Sequence, residues 1–264
     1  MVAWDLGLDG KVAVITGAAS GIGRAIAHAL AASGAVACVA DVNLSGAERV
    51  VGEVEIKGGR GIALAVDVSR RDDVRGCMER VVGEFGRLDI VVNNAGLQYV
   101  APVWEFPEDR WEHLIQVMLT GTFLCSKYAL PHMMKNRWGR IVNISSVHGL
   151  VASPYKSAYV SAKHGVVGLT RSLALEVAEH GVTVNAVCPA YVRTPLVEAQ
   201  IDVQARIYGI PREEVIDRVM LTQAAIKRLL EPEEVAGMVL YLCSDVARGI
   251  TGSVITVDGG WTAR

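Results

Sequence analysis

The stretch that decides the fold is TGAASGIG at residues 16–23, which continues directly from the apolar run KVAVIT at residues 11–16. A short apolar run is typical of a buried strand, and residues 24–32 continue as an apolar segment of helical character. Glycines in such a turn let a pyrophosphate approach the free amides at the start of a helix. The segment has no Lys-Ser or Lys-Thr pair, which the phosphate-binding loop of a nucleoside triphosphate site requires. The pattern therefore predicts a dinucleotide-binding turn, with contacts from Gly17, Ser20, Gly21, Ile22 and Gly23.

The alternation of short apolar runs with longer amphipathic segments continues along the chain. Further strands are predicted at residues 35–41, 61–66, 89–93, 139–145, 183–188 and 253–257. Helices are predicted between them, at residues 44–57, 72–85, 107–136, 157–179 and 232–244. This order predicts an α/β fold, a Rossmann-type doubly wound parallel sheet of about seven strands, in a single domain over residues 1–264. Residues 190–222 interrupt the alternation and are predicted to form a small helical lid over the substrate.

Composition excludes several classes of protein. Lys and Arg number 26 against 28 Asp and Glu, a formal charge of -2, which argues against nucleic acid and membrane partners. The apolar fraction of 51% excludes intrinsic disorder. The cysteines and histidines show no metal-ligand spacing, so no metal is expected. Residues 1–10 do not resemble a signal peptide, and the apolar window 25–40 is too short and broken to span a bilayer. We expect a cytoplasmic protein.

The predicted second strand ends at Asp41, where a carboxylate accepts hydrogen bonds from the ribose hydroxyls of NAD and repels the phosphate of NADP. No Arg or Lys lies within residues 42–47 to bind that phosphate, so NAD is the expected cofactor. Asp41 or Asn43 can alternatively cap the following helix. Asp67 and Val68 end the third strand and are predicted to flank the adenine, although Asp67 can also cap a helix.

Three motifs together resemble the short-chain dehydrogenase/reductase family. They are Gly17-x-x-x-Gly21-Ile22-Gly23, Asn93-Asn94-Ala95-Gly96 and Tyr159-x-x-x-Lys163, in the family's order and spacing along the whole chain. Within the family, the sequence is similar to homotetrameric members that reversibly oxidise (R)-3-hydroxybutyrate to acetoacetate with NAD. The resemblance implies that Ser146, Tyr159 and Lys163 are catalytic. It also implies that the nicotinamide cofactor is contacted by Asn94, Ala95, Gly96, Tyr159, Lys163, Pro189, Val192 and Thr194.

The catalytic residues implied by the resemblance suit hydride-transfer chemistry. Tyr159 and Lys163 are four residues apart on a predicted helix and therefore share one face. A free phenol has a pKa near 10, so a tyrosine base needs a nearby cation such as Lys163. Ser146 follows the fifth predicted strand, where it can stabilise charge that develops on the substrate oxygen. Without the glycine turn, the Tyr159 and Lys163 pair would be interpreted as ordinary helix surface.

A 3-hydroxy acid also needs donors for its carboxylate. The resemblance implies that Gln98, His148, Lys156 and Gln200 bind this group and that Tyr191 walls the small methyl pocket, beside Ser146 and Tyr159. Lys156 precedes Tyr159 by three residues, and His148 follows Ser146 by two. Taken singly, His148 can be an ordinary loop residue, Lys156 a solvated charge and residues 189–194 a turn into the lid. Together these residues predict a small-molecule 3-hydroxy acid substrate.

Two positions depart from the family's pattern. Met118 stands where most members have an Asn that connects the catalytic lysine to solvent through water, and a thioether is a poor substitute in such a proton relay. Ala190 replaces a usual glycine, which matters if that position needs a positive φ. We expect slower but real turnover. The alternatives are another hydroxy acid, a sugar alcohol or a 3-oxoacyl thioester as substrate, or a catalytically weak NAD-binding protein.

Overall fold

The computed structural model describes residues 6–263 and contains one parallel sheet of seven strands in the order β3-β2-β1-β4-β5-β6-β7. Residues 1–5, which belong to the segment considered above as a leader, and residue 264 lie outside this range. The predicted doubly wound parallel sheet is confirmed, with each strand within about a residue of its expected bounds. The strands are β1 Val12–Thr16, β2 Val36–Asp41, β3 Arg60–Ala65, β4 Ile90–Asn93, β5 Gly139–Ile144, β6 Val182–Pro189 and β7 Val254–Val257.

Eight α-helices are found in the described part of the chain and connect the strands. No helix within residues 6–263 is long and apolar enough to cross a membrane. The helices are α1 Gly21–Ala32, α2 Leu44–Ile56, α3 Arg71–Phe85, α4 Glu108–Ile115, α5 Gly121–Asn136, α6 Ser157–Val177, α7 Pro195–Tyr208 and α8 Pro232–Cys243.

The predicted single helix over residues 107–136 is wrong in one respect. It is divided into α4 and α5 by a π-helical turn at Gln116–Thr120. Gly121 follows this turn and packs so tightly on Val68 that a Cβ on Gly121 would lie 3.0 Å from a Val68 methyl carbon. The widened turn contains Met118, so the backbone at that residue is π-helical and not α-helical as predicted.

The core lies on both faces of the sheet because successive strand residues point to opposite sides. Val12 and Val14 of β1 belong to the apolar cluster on one face, and Ala13 and Ile15 belong to the cluster on the other. The strands are therefore continuously apolar, as a sheet covered on both faces requires.

The lid segment forms its own small structure. Residues 190–222 contain α7, a 3₁₀ turn at Arg212–Glu214 and a π-helical turn at Ile216–Met220. An apolar cluster holds these pieces together, and it consists of Val197, Ile201, Val215 and Met220.

The sheet also fixes where a ligand can bind. The order of the strands reverses between β1 and β4. From β1 the chain adds β2 and β3 on one side of the sheet, and then crosses to add β4 and the later strands on the other side of β1. In open parallel sheets this reversal opens a crevice at the carboxyl ends of the strands. The glycine turn after β1, the Asn94 loop after β4 and the segments after β5 and β6 all meet there.

Candidate active site

A cavity of about 460 Å³ lies at this crevice and contains nearly all the predicted cofactor residues. Its lining includes Gly17, Ser20, Gly21, Ile22, Asp41, Asp67, Val68, Asn94, Ala95, Gly96, Tyr159, Lys163, Pro189, Val192 and Thr194. Gly23 is the exception, because it lies behind the turn. A Cβ on Gly23 would lie only 2.5 Å from the Gly17 carbonyl oxygen. Gly23 therefore serves close packing within the loop and does not line the cavity.

The start of α1 is suited to an anionic group. Gly17 and Gly21 have φ values of +64° and +51°, which favour glycine. Ser20 is the N-cap residue, yet its side chain makes no capping hydrogen bond, and the first turn of α1 contains no acidic residue. Neither a Ser20 cap nor an acidic residue of the first turn therefore offsets the positive end of the helix dipole, which suits the pyrophosphate of a dinucleotide.

Asn94 fixes the glycine turn to the end of β4. Its side-chain amide donates hydrogen bonds to the carbonyl oxygens of Thr16 and Gly17, at 3.0 and 2.9 Å. The backbone amides of Asn94 and Ala95 both donate to the Thr16 hydroxyl at 3.1 Å. Asn94 thus shapes the loop at the same time as it lines the cavity.

Asp41 and Asn43 have separate roles. The Asn43 side chain caps α2 by accepting a hydrogen bond from the Gly46 amide. Asp41 lies at the cavity wall, where its carboxylate accepts hydrogen bonds from the amides of Ala19 and Asn43, at 3.0 and 2.9 Å. Apart from Lys163, no Lys or Arg is among the described residues that line this cavity.

Asp67 also lies at the cavity wall. Its carboxylate accepts hydrogen bonds from the Ser69 amide and hydroxyl, at 2.9 and 2.6 Å. The N-cap residue of α3 is Arg70, and its side chain makes no capping hydrogen bond. Asp67 therefore organises the short turn before α3 and does not cap the helix.

Ser146, Tyr159 and Lys163 meet at the inner end of the cavity. Ser146 follows β5, and its hydroxyl accepts a hydrogen bond from the His148 amide at 3.2 Å. The Lys163 ammonium lies 5.6 Å from the centre of the Tyr159 ring and donates to the Ile144 carbonyl at 2.7 Å. The neighbouring Ser145 hydroxyl donates to the Lys163 carbonyl at 3.0 Å and holds α6 against β5.

Burial controls the charges of this group. It raises the pKa of the Tyr159 hydroxyl to about 12, and a hydrogen bond with Ser146 opposes that shift. It lowers the pKa of Lys163 to about 8. A positive charge brought close to Tyr159 would favour its ionised form. Tyr159 is therefore protonated at neutral pH in the protein alone, and its ionisation requires further positive charge close to its hydroxyl.

A smaller cavity of about 50 Å³ adjoins Ser146 and Tyr159. It brings together all the residues expected to contact substrate, namely Gln98, Ser146, His148, Lys156, Tyr159, Tyr191 and Gln200. Tyr191, expected at the methyl pocket, also lies beside Lys156 on this wall. The Gln200 amide donates to the Leu196 carbonyl at 2.9 Å, which fixes its side chain on α7.

Lys156 and His148 are both only 4% exposed. The alternative of a solvated lysine is therefore wrong, whereas His148 does lie in a turn, Val147–Gly149, but with its side chain buried. Burial lowers the pKa of Lys156 to about 8, so its ammonium remains largely protonated at neutral pH. Burial and the nearby Lys156 charge lower the pKa of His148 to about 3, so the imidazole is neutral.

The two departures have different structural consequences. Met118 is 1% exposed and lies near Lys163: its sulfur and the Lys163 nitrogen are 3.8 and 3.9 Å from the point that a Cβ on Gly96 would occupy. Among the described non-glycine residues, only Arg137 and Tyr155 have positive φ. Ala190 is therefore unstrained, and the concern about a missing glycine at that position is removed.

Several cavity residues have no signal in the sequence. They are mostly apolar and lie next to predicted residues or on distant helices, so neither motif nor spacing marks them. His113, expected in a surface or core role, contributes to the cavity wall from α4. The others are Val42, Val66, Leu97, Val117, Ile144, Leu196 and Val197. Within residues 6–263 no group of three or more His, Cys, Asp or Glu side chains is arranged to hold a metal ion.

Comparison with known proteins decides the family. Residues 17–262 match a family model described as "Enoyl-(Acyl carrier protein) reductase". The chain is 48% identical over 257 residues to a D-beta-hydroxybutyrate dehydrogenase from Rhizobium meliloti (strain 1021), covering 96% of this chain and 99% of that protein. The chain belongs to the short-chain dehydrogenase/reductase family.

Other members of the short-chain dehydrogenase/reductase family agree with this assignment. A D-beta-hydroxybutyrate dehydrogenase from Cupriavidus necator is 42% identical over 260 residues, with 97% of this chain and 100% of that protein covered. The crystal structure of a short-chain type dehydrogenase/reductase from Mycobacterium marinum superposes with a TM-score of 0.89 at 34% identity, covering 98% and 99% of the two chains. The protein is thus an oxidoreductase that uses a nicotinamide cofactor.

Proposed function

We propose that this short-chain dehydrogenase reversibly oxidises (R)-3-hydroxybutyrate to acetoacetate with NAD. The observation that carries the proposal is the small cavity beside Ser146 and Tyr159, which is walled by the buried ammonium of Lys156. A buried cation with no carboxylate partner of its own is costly, and a carboxylate ligand offsets that cost. The substrate therefore has a hydroxyl and a carboxylate only a short chain apart.

Proton transfer is assigned to Tyr159. When bound, the nicotinamide ring accepts a hydride from the substrate carbon in oxidation and returns it in reduction. The Tyr159 phenolate takes the proton of the substrate hydroxyl, while the Ser146 hydroxyl donates a hydrogen bond to the same oxygen. Lys163 lies beside Tyr159, and its charge together with the positive charge that bound NAD would add favours the Tyr159 phenolate.

The carboxylate is assigned to the wall opposite this pair. Lys156 supplies the charge, and Gln98 and Gln200 supply amide donors from two other segments. His148 is neutral at physiological pH, so it acts as a hydrogen-bonding group and as a packing surface. The lid, residues 190–222, contributes Tyr191 and Gln200, and we assign it the role of covering the bound acid.

NAD is proposed over NADP because of Asp41. Its carboxylate lies at the cavity wall where the sequence pattern places the adenine ribose, and the second phosphate of NADP would be repelled there. Two backbone amides hold the Asp41 carboxylate in place at this wall. The residues present therefore fit NAD, which lacks the second phosphate that this carboxylate would repel.

The proposal extends to a cytoplasmic homotetramer. All five cysteines are free and buried, which suits a reducing compartment. Leu175 and Trp104 are 86% and 78% exposed, and apolar side chains of this size favour burial by another copy. Light scattering on the purified chain tests the assembly.

The activity is tested by incubating the protein with NAD and a panel of hydroxy acids, sugar alcohols and 3-hydroxyacyl thioesters while following the absorbance of the reduced cofactor. We expect rapid oxidation of (R)-3-hydroxybutyrate and at least a ~100-fold loss of turnover in Tyr159→Phe. Tyr99→Phe, which changes an exposed tyrosine outside both cavities, serves as the control. Binding of NAD without oxidation of any alcohol would instead support a catalytically weak NAD-binding protein.

A further inference from the structure

Besides the cofactor cavity and the small cavity, the structure has a third, of about 290 Å³, that adjoins the small one. It is called the second cavity because it is the second one on the substrate side. Three residues line both: His148, Lys156 and Tyr191. The two cavities therefore share a wall that consists of Tyr191 and two of the proposed carboxylate-binding residues, His148 and Lys156. The remaining walls come from the loop before α6, from the lid and from the end of the chain, and include Ala152, Gln204, Arg218, Thr222, Gln223 and Trp261.

Buried polar atoms without partners surround this second cavity. The Gln204 side-chain oxygen and the Trp261 indole nitrogen are buried and form no hydrogen bond with any described group. Gln204 is 1% exposed, so open solvent does not satisfy its oxygen. A buried polar atom without a partner is unfavourable, and two of them at one cavity indicate a site completed by a polar ligand.

The charges around the cavity favour an anion. Lys156 lies in the shared wall, and Arg218 lies on the lid side, where it pairs with Glu214. No Asp or Glu is among the described residues that line this cavity. Lys156, Arg218 and the Trp261 indole supply donors at this cavity, as binding of a carboxylate requires, whereas the unpartnered Gln204 oxygen is an acceptor that needs a donor from elsewhere on the ligand or from water.

The volumes of the small cavity and of the second cavity indicate how long an acid each can hold. In 3-hydroxybutyrate one carbon separates the carbinol from the carboxylate, and the small cavity of about 50 Å³ suits that distance. We propose that the second cavity, of about 290 Å³, receives the carboxylate end of hydroxy acids with a longer chain between these groups, such as 4-hydroxy and 5-hydroxy acids. Lys156 serves as the cation in both binding modes. When a longer acid binds, the Lys156 ammonium gives up its hydrogen bond to the Tyr191 hydroxyl and donates to the ligand carboxylate instead.

This inference rests on the proposed function, since it uses the same catalytic pair and the same cation. Its test uses acids that keep the methyl carbinol constant: 3-hydroxybutyrate, 4-hydroxypentanoate and 5-hydroxyhexanoate. Binding of the corresponding keto acids, acetoacetate and 5-oxohexanoate, is measured by calorimetry on the NADH-loaded protein. Ala152→Phe places a ring in the second cavity only, and Val151→Phe, at an exposed neighbour that lines neither cavity, is the matched control.

We expect the wild-type protein to oxidise 5-hydroxyhexanoate and to bind 5-oxohexanoate. Ala152→Phe should weaken 5-oxohexanoate binding at least ~10-fold, and change acetoacetate binding less than about twofold, because the ring fills only the larger cavity. Val151→Phe should change neither. Loss of 5-oxohexanoate binding in Ala152→Phe supports the inference even if 3-hydroxybutyrate is not oxidised, an outcome that would reject the proposed function alone.

The opposite results overturn the inference. They are 5-oxohexanoate binding that is unaffected by Ala152→Phe, or wild-type binding of 5-oxohexanoate more than ~100-fold weaker than that of acetoacetate. In either case, oxidation of 3-hydroxybutyrate would leave the proposed function intact.

Discussion

The Lys156 ammonium donates a hydrogen bond of 2.9 Å to the hydroxyl of Tyr191 and lies 4.9 Å from the centre of that ring. The bond joins the residue before α6 to the segment that follows β6 and leads into the lid. An ammonium has three N–H donors, so two remain for a ligand. Helix α6 and the segment predicted to form a lid therefore meet at one buried cation.

Replacing Lys156 tests this arrangement. Lys156→Met keeps most of the side-chain volume and removes the charge, so the substrate carboxylate loses a charge-assisted hydrogen bond worth about 1.5–3 kcal/mol. We expect the KM for 3-hydroxybutyrate to rise ~10-fold or more, with a smaller change in kcat. Steady-state kinetics check this, with Lys135→Met on the exposed end of α5 as the control. Equal KM values in the two variants would rule out Lys156 as the carboxylate partner.

Carboxylate binding should also depend on pH. Burial lowers the pKa of Lys156 to about 8, below the value of 10.5 expected in the unfolded chain, so the binding ammonium is lost as the pH rises through 8. We expect the Kd of acetoacetate for the NADH-loaded protein to rise by up to about tenfold per pH unit above 8 and to stay level between pH 6 and 7.5.

Lys163 is a second candidate for this titration, whereas His148 and Tyr159 are not. The pKa values of His148 and Tyr159, about 3 and about 12, lie outside the window. The pKa of Lys163, lowered to about 8, lies inside it, so the Lys156→Met variant decides between the two lysines. A flat profile in Lys156→Met is expected. A profile that persists unchanged in this variant would assign the titration to Lys163.

Cofactor choice depends on Asp41. Asp41→Ser removes the negative charge but retains an oxygen that can accept from the Ala19 or Asn43 amide. We expect the ratio of kcat/KM for NADP to that for NAD to rise at least ~10-fold, since the repulsion of the second phosphate is lost. Asp72→Ser, on the exposed surface of α3, is the control. An unchanged ratio would show that another residue selects the cofactor.

Met118 tests the proton relay. Met118→Asn places an amide beside Lys163, and we expect the turnover number to rise severalfold if that position limits proton exchange with solvent. The same change buries a polar group in the apolar π-helical turn, so we expect the free energy of unfolding to fall by about 1–3 kcal/mol. Stopped-flow kinetics and thermal unfolding measure the two effects. Met118→Leu separates polarity from shape, and an unchanged turnover number in Met118→Asn would show that Met118 does not slow the reaction.

The fold was predictable from local pattern because the sheet is covered on both faces. Each strand is a continuous apolar run between turn residues, and its bounds can be identified from the sequence. The break between α4 and α5 was not predictable, since residues 107–136 carry one amphipathic pattern. It coincides with the contact between Gly121 and Val68, two residues far apart in the chain.

The site was predictable in part, and for different reasons. The glycine turn and Asp41 follow from patterns within single segments. The roles of the pair on α6, of Gln98 and of Gln200 followed from family resemblance, because local spacing alone gives only that Tyr159 and Lys163 share one helix face. The burial of Lys156 and the second cavity depend on how the lid packs against the loop before α6, and a sequence without an alignment does not encode that packing in any visible pattern.

The central claim is that the site recognises a secondary alcohol by a carboxylate held at Lys156. It is tested most directly by comparing kcat/KM for NAD-linked oxidation of (R)-3-hydroxybutyrate and of 2-butanol, which has the same methyl carbinol without the carboxylate. We expect the acid to be favoured at least ~100-fold in the wild-type protein, with most of that preference lost in Lys156→Met. Equal values for the acid and the alcohol, or a preference that survives in Lys156→Met, would contradict the account.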